Sequence, residues 1–236
     1  MKRILKRILK IIVVVMGVLL IASLVLYVVY DQPVPEGKNP AEADLLAQKM
    51  LAAIHNEAYE QTTLIEWSFP NGSHRYKWDK ANGKVKVTWK DYEVDLNLKQ
   101  PNKSSVFELQ KVVTGKKKEQ LIETAITYFN NDSFWLVAPF KVFDQGTERS
   151  IVELEDGSKG LLVTYTSGGT TPGDSYVWKL QPNGFPISFQ IWASIIPIGG
   201  LEATWDDWKV METNVWLPQS HKIGPFTVTI GGVRAY

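Results

Sequence analysis

The chain contains no cysteine and only three histidines. Without cysteine there is no disulfide framework, and no thiol that could carry a lipid anchor. His55, His74 and His221 have none of the paired spacings a zinc site uses, so no metal is expected. Gly157, Ser158, Lys159 and Gly160 lack the glycine two residues before the serine that a nucleophile elbow requires. Thr166 to Asp174 is rich in glycine and hydroxyls. It lacks the Gly-Lys-Ser/Thr ending of a phosphate loop and precedes a strand-like run rather than a helix, so it reads as a hairpin or flap beside a binding site. Asp206 and Asp207 are adjacent, which in a strand turns them to opposite faces and excludes a glycosidase carboxylate pair. No catalytic signature and no cofactor motif remain, and the expectation is a protein that binds rather than catalyses.

Charge narrows the partners further. Of 26 lysines and arginines, Lys2, Arg3, Lys6, Arg7 and Lys10 fall in the first ten residues; the other 21 face 25 acids, a balance of about −4. A nucleic-acid partner is not expected from such a balance.

What the chain does have is a long apolar run. Ile11 to Tyr30 is uncharged and almost wholly apolar, and a helix of that length spans roughly 30 Å. With the basic residues before it, the run predicts a single-pass anchor with its N-terminus in the cytoplasm and the main domain outside, at the inner membrane. A cleaved signal peptide is the rival; Leu24 to Tyr30, apolar beyond the small residues Ala22 and Ser23, argues for the uncleaved anchor. The expected organisation is a basic tip and anchor over 1–30, a stalk over 31–39 and one domain over 40–236.

Asn39 and Pro40 make a helix start, and Ala43, Leu46, Ala47, Met50, Leu51, Ala53, Ile54 and Ala58 fall on one face at 100° per residue. From Thr62 the period changes to two. Thr63, Ile65, Trp67 and Phe69, then His74, Tyr76 and Trp78, then Val85, Val87 and Trp89, then Tyr92, Val94, Leu96 and Leu98 alternate with charged residues, as in an antiparallel meander with one wet face. A second helix is expected over about 116–130. Further strands are expected over 149–154, 160–165, 175–180, 185–192, 204–211, 215–217 and 226–230.

The nine tryptophans are the unusual signal. They make either a tryptophan-rich core or a concave face that holds an acyl chain or other apolar ligand, since such sites are aromatic with few polar groups. Trp67, Phe69, Tyr76, Trp78, Val87, Trp89 and Val94 are the candidate lining residues. Ser194 to Leu201 is an apolar run holding Pro197 and closed by two glycines; it is either a buried turn or a hairpin tip that projects Ile195, Ile196 and Ile198 toward a membrane.

An N-terminal helix, a four-stranded meander with Trp78-Asp79 and Trp89-Lys90-Asp91-Tyr92 at its turns, a central helix and a second run of strands resemble the layout of the LolA/LolB-like family. The stretches Asn131 to Pro139 and Thr171 to Trp178 are similar to those of envelope proteins associated with that fold. The resemblance, covering about 39–236, implies an α+β domain: a curved antiparallel half-barrel sheet closed by two or more helices, with a cavity for a lipid or acylated ligand. The alternative is a structural or interaction protein whose core is filled by its own side chains.

Overall fold

The computed structural model describes residues 2–167 and 172–236, with only the backbone described at 2, 3, 5, 20 and 22–26. Its helices are α1 (Lys2–Tyr30), α2 (Pro40–Ala53), α3 (Asn56–Gln61) and α4 (Gly115–Val137).

Ile11–Tyr30 is helical, as the later part of α1. Among the described residues, however, no helix is long and apolar enough to cross a membrane. The side chains at 20 and 22–26 of the expected span lie outside the described residues. The expected single-pass anchor, its cytoplasmic tip and the inner-membrane placement are therefore corrected and do not stand.

The first sheet follows from alternation. Strands β1 (Leu64–Phe69), β2 (His74–Asp79), β3 (Lys84–Trp89), β4 (Tyr92–Asn97), β5 (Ser105–Glu108) and β6 (Lys111–Val112) are successive antiparallel neighbours. Asn71 and Gly72, both at positive φ, turn β1 into β2, and Gly83 does the same before β3. Regular register sets apolar side chains in rows across the strands: Ile65, Trp78, Val85 and Leu96; Trp67, Tyr76, Val87, Val94 and Val106; Phe69, His74, Trp89 and Tyr92. Helix α4 covers this face with Ile122, Ala125, Phe129 and Leu136. The opposite face is charged, with Lys86 between Glu93 and Asp95 and Lys77 at 2.8 Å from Glu66.

The second sheet is built of β7 (Thr147–Glu153), β8 (Lys159–Tyr165), β9 (Ser175–Leu180), β10 (Pro186–Trp192), β11 (Leu201–Thr204), β14 (Ser220–Ile223) and β15 (Phe226–Thr229). Helix α2 lays Ala43, Ala47 and Met50 on its inner face, against a core of Leu161, Trp178, Phe189 and Trp205. A small pair, β12 (Lys209–Val210) and β13 (Trp216–Leu217), stands apart, and the last strand, β16 (Gly231–Ala235), returns to pair with β1.

The expected half-barrel is corrected by this topology. Two open seven-stranded antiparallel sheets replace one curved sheet, their edges being β16 and β6 in the first and β15 and β7 in the second. The ladder breaks where α4 intervenes between β6 and β7, and again where Ile230 carries the chain from β15 into β16 on the other sheet. The expected strand over 204–211 is also broken: Asp207 takes φ 53°, and its carboxylate accepts the Ser220 hydroxyl at 2.5 Å while that of Asp206 accepts the Thr204 hydroxyl. The first helical face, expected to run to Ala58, stops at His55, whose φ of 61° separates α2 from α3. Conversely, α4 continues seven residues past the expected end, to Val137.

Residues 31–39, expected as a stalk, are hydrogen-bonded along the second sheet. Lys38 and Ile151 exchange backbone hydrogen bonds of 2.9 and 2.7 Å. The Trp192 indole donates to the Gln32 carbonyl at 2.7 Å, and the Gly199 amide donates to the Asp31 carboxylate at 2.7 Å. Gly37 lies so close to Ser150 and Leu162 that a Cβ there would overlap the Ser150 hydroxyl. The segment thus covers the outer apolar cluster of Val152, Leu162 and Val177.

Candidate functional site on the aromatic face of the first sheet

The seven candidate lining residues are brought together on one face. Trp67, Phe69, Tyr76, Val87, Trp89 and Val94 are buried and Trp78 is half-buried. Trp67 stacks on Tyr76 at 4.5 Å between ring centroids, Trp78 meets Phe129 edge-on at 5.2 Å, and Phe129 also lies 6.2 Å from Trp67. These rings pack on one another and on α4.

Two of them carry an unmet demand. The indole N–H groups of Trp67 and Trp78 are buried without a hydrogen-bond partner among the described residues. A buried donor left unpaired costs ~1–3 kcal/mol. The second core holds two more such indoles, Trp178 and Trp205, and the unpaired Tyr165 hydroxyl.

One end of the aromatic row is polar. Asp132, only 2% exposed, projects from α4 into the first core. It accepts hydrogen bonds from the Tyr76 hydroxyl at 2.5 Å, from Nδ1 of His74 at 2.7 Å and from the Asn131 amide at 3.0 Å. Burial, then the Asp132 charge and its hydrogen bond, push the Tyr76 pKa up, so the phenol keeps its proton and donates. The His74 ring stacks on Tyr128 at 4.0 Å, and its side chain is 17% exposed. Asp132 lies beyond the helix that the sequence predicts over about 116–130, so that prediction does not place it on the buried face. Continued for two turns, the spacing 122, 125, 129, 132, 133, 136 would have placed an acid on the buried stripe.

The other candidates lie elsewhere. Ser194–Gly200 forms the turn between β10 and β11; Ile195 is 67% exposed, Ile196 packs partly on the second core and Ile198 is half-buried. The expected flap over 166–174 falls partly on 168–171, outside the described residues. His55 accepts or donates a 2.7 Å bond with the Asn214 carbonyl, and His221 is fully buried with a ring nitrogen 2.8 Å from each of the Thr204 and Trp135 carbonyls. Among the described residues, no cluster of three or more histidines, aspartates and glutamates could hold a metal ion.

Two surface grooves are also formed. One, of about 400 Å³, crosses the charged outer face of the first sheet by Glu66, Arg75, Lys86 and Gly232; the other, of about 480 Å³, lies between residues 31–34 and Asp174, Trp192 and Pro197.

No family model matches this chain, and no curated protein matches it. The crystal structure of a DUF1329 family protein from Desulfovibrio piger ATCC 29098 is similar to it over 84% of this chain and 93% of that one, at 9% sequence identity and a TM-score of 0.42, a likeness too slight to carry an argument about function.

Proposed function

We propose that this chain is a binding protein for an apolar, acyl-bearing ligand, received between the aromatic face of the first sheet and α4. The observation that carries the reading is the pair of buried, unpartnered indole donors, Trp67 and Trp78, on an otherwise apolar face. An ester or amide carbonyl on an acyl chain would supply both apolar area and the missing acceptor. The resemblance in layout to the LolA/LolB-like family supports the same ligand class. Entry requires α4 to move off the sheet, since Phe129 and Leu136 fill the face when it is closed. A second reading, an interaction protein with a self-filled core, is favoured by that same close packing and predicts no ligand at all.

Titration of the full chain with methyl dodecanoate, followed by tryptophan emission, tests the proposal. The expected result is a saturable shift, weakened roughly fivefold by Trp67→Phe and by Trp78→Phe, each of which removes a donor worth ~1 kcal/mol to the complex. Loss of the donor should not in itself lower the stability of the unliganded protein, because it has no partner there; what each substitution costs in stability is the volume the smaller ring leaves unfilled. No emission change, together with no lipid retained in native mass spectra, would establish the self-filled core instead.

A further inference from the structure

The ligand's far end is readable from the polar end of the aromatic row. Phe69, His74, Trp89 and Tyr92 form one row across β1–β4, next to the row of Trp67 and Tyr76. The Tyr76 ring meets His74 edge-on at 6.4 Å and Phe129 at 6.4 Å, so the apolar face runs without a break from the two unpartnered indoles to the imidazole. There the character changes. Asp132 is an acceptor, already receiving the Tyr76 hydroxyl, the Asn131 amide and His74 Nδ1. A carboxylate accepting at Nδ1 fixes a proton on that nitrogen and leaves Nε2 as the ring's second polar atom. Nε2 has no hydrogen bond among the described residues, and the ring is held flat by Tyr128 at 4.0 Å with part of its side chain open to solvent. Holding an imidazole by a buried carboxylate on one side and a stacked ring on another costs freedom, and presents Nε2 in one direction.

We propose that His74 is the head-group reader of the ligand site: the face takes an apolar chain ending in an oxygen head group, hydroxyl or carboxylate, hydrogen-bonded to Nε2 of His74. This deepens the proposed function and rests on it. The shared chemistry is an oxygen at the chain end. A neutral ring accepts from a hydroxyl; a protonated ring donates to a carboxylate. Asp132 and Tyr76 act as positioning residues, through the imidazole.

The test compares three probes of one chain length on the full protein, all read by tryptophan emission: methyl dodecanoate (the ester), methyl 12-hydroxydodecanoate (the alcohol) and monomethyl dodecanedioate (the acid). All three keep the chain and the ester carbonyl for the indoles; at the far end the plain ester can neither donate a hydroxyl nor carry charge. The acid or the alcohol should bind about tenfold tighter than the ester, the range of one well-made hydrogen bond with a charged or strongly polarised partner; which of them gains identifies the head group. His74→Phe, which keeps a stacking ring, should erase that advantage and leave ester binding unchanged. Equal affinity for all three probes, or an advantage that survives His74→Phe, would overturn the assignment while leaving the ligand site intact. If none of the three binds, the proposed function itself falls. Should His74→Phe not fold, the 15N shift of His74 Nε2 in the unaltered protein decides: it should move on adding the acid or the alcohol and stay on adding the ester, and no movement overturns the assignment.

Discussion

The two sheets have the same number of strands but keep their outer faces in different ways. The first exposes a charged surface, where Lys77, Lys86 and Arg75 stand among Glu66, Glu93 and Asp95, and water does the solvating. The second buries Val152, Leu162 and Val177 on its outside and draws residues 31–39 over them. The inner faces differ as well. Helix α2 meets the second sheet with alanines and Met50, and that contact is apolar at Ala43, Ala47 and Met50. Helix α4 meets the first sheet with a buried carboxylate in the middle of its apolar stripe. The lesson lies in where the directed bonds sit: α2 makes its own at the wetter rim, where Asp44 accepts from Arg149 at 2.6 Å and Glu42 pairs with Lys159, while α4 makes its own inside the core, where they fix a position and lose their worth together when it is left.

The largest effect should come from breaking those bonds. Asp132→Ala leaves the Tyr76 hydroxyl buried without an acceptor and releases His74; the expected loss is ~3 kcal/mol in urea denaturation. A loss below 1 kcal/mol would mean that α4 is held by apolar burial alone and that its buried bonds are worth no more than the rim pairs of α2.

A smaller effect is expected at the covered outer face. A Cβ on Gly199 would lie 2.5 Å from the Gln32 carbonyl oxygen and 2.6 Å from the Trp192 ring, so Gly199→Ala must lift residues 31–34 from the sheet. The expected cost is ~1–2 kcal/mol, with new protease cleavage within 31–38. The same stability and the same cleavage pattern as the parent would show that the segment adds nothing to the second sheet.

The smallest effect is a pH dependence confined to the second half. Burial pushes the His221 pKa below its ordinary 6.5, while the Thr204 and Trp135 carbonyls and the charge of Asp206 pull it back up. The unfolded chain therefore takes up that proton first as pH falls. Stability from this group is complete above about pH 6.5, declines as pH drops through 6.5 toward the lower folded value, and is level below it. The difference between the parent and His221→Phe, measured by thermal unfolding from pH 8 to 5, should show this slope. A parent that gained stability over the variant on acidification would mean that the two carbonyls hold a charged ring, and would reverse the sign.

Residues alone determined the first meander, down to which side chains share a face, because alternation with period two and the Asn71-Gly72 and Gly83 turns are local properties of adjacent residues. The start of α2 at Pro40 and the apolar stripe of α4 up to Phe129 are local in the same sense. Tertiary structure decided everything that joins distant segments. Nothing near Gly231 announces that β16 will pair with β1, more than 160 residues earlier, as in the Ser68–Gly231 register. Nor does a polar stretch such as 31–39 reveal that it will lie across a sheet formed after residue 147, since its hydrogen bonds to Ile151, Trp192 and Gly199 exist only once that sheet is folded. His74 was legible as one more member of an alternating strand. Its meeting with Asp132, 58 residues on, depends on the angle at which α4 crosses the sheet, and that angle is set by packing, which no local period encodes.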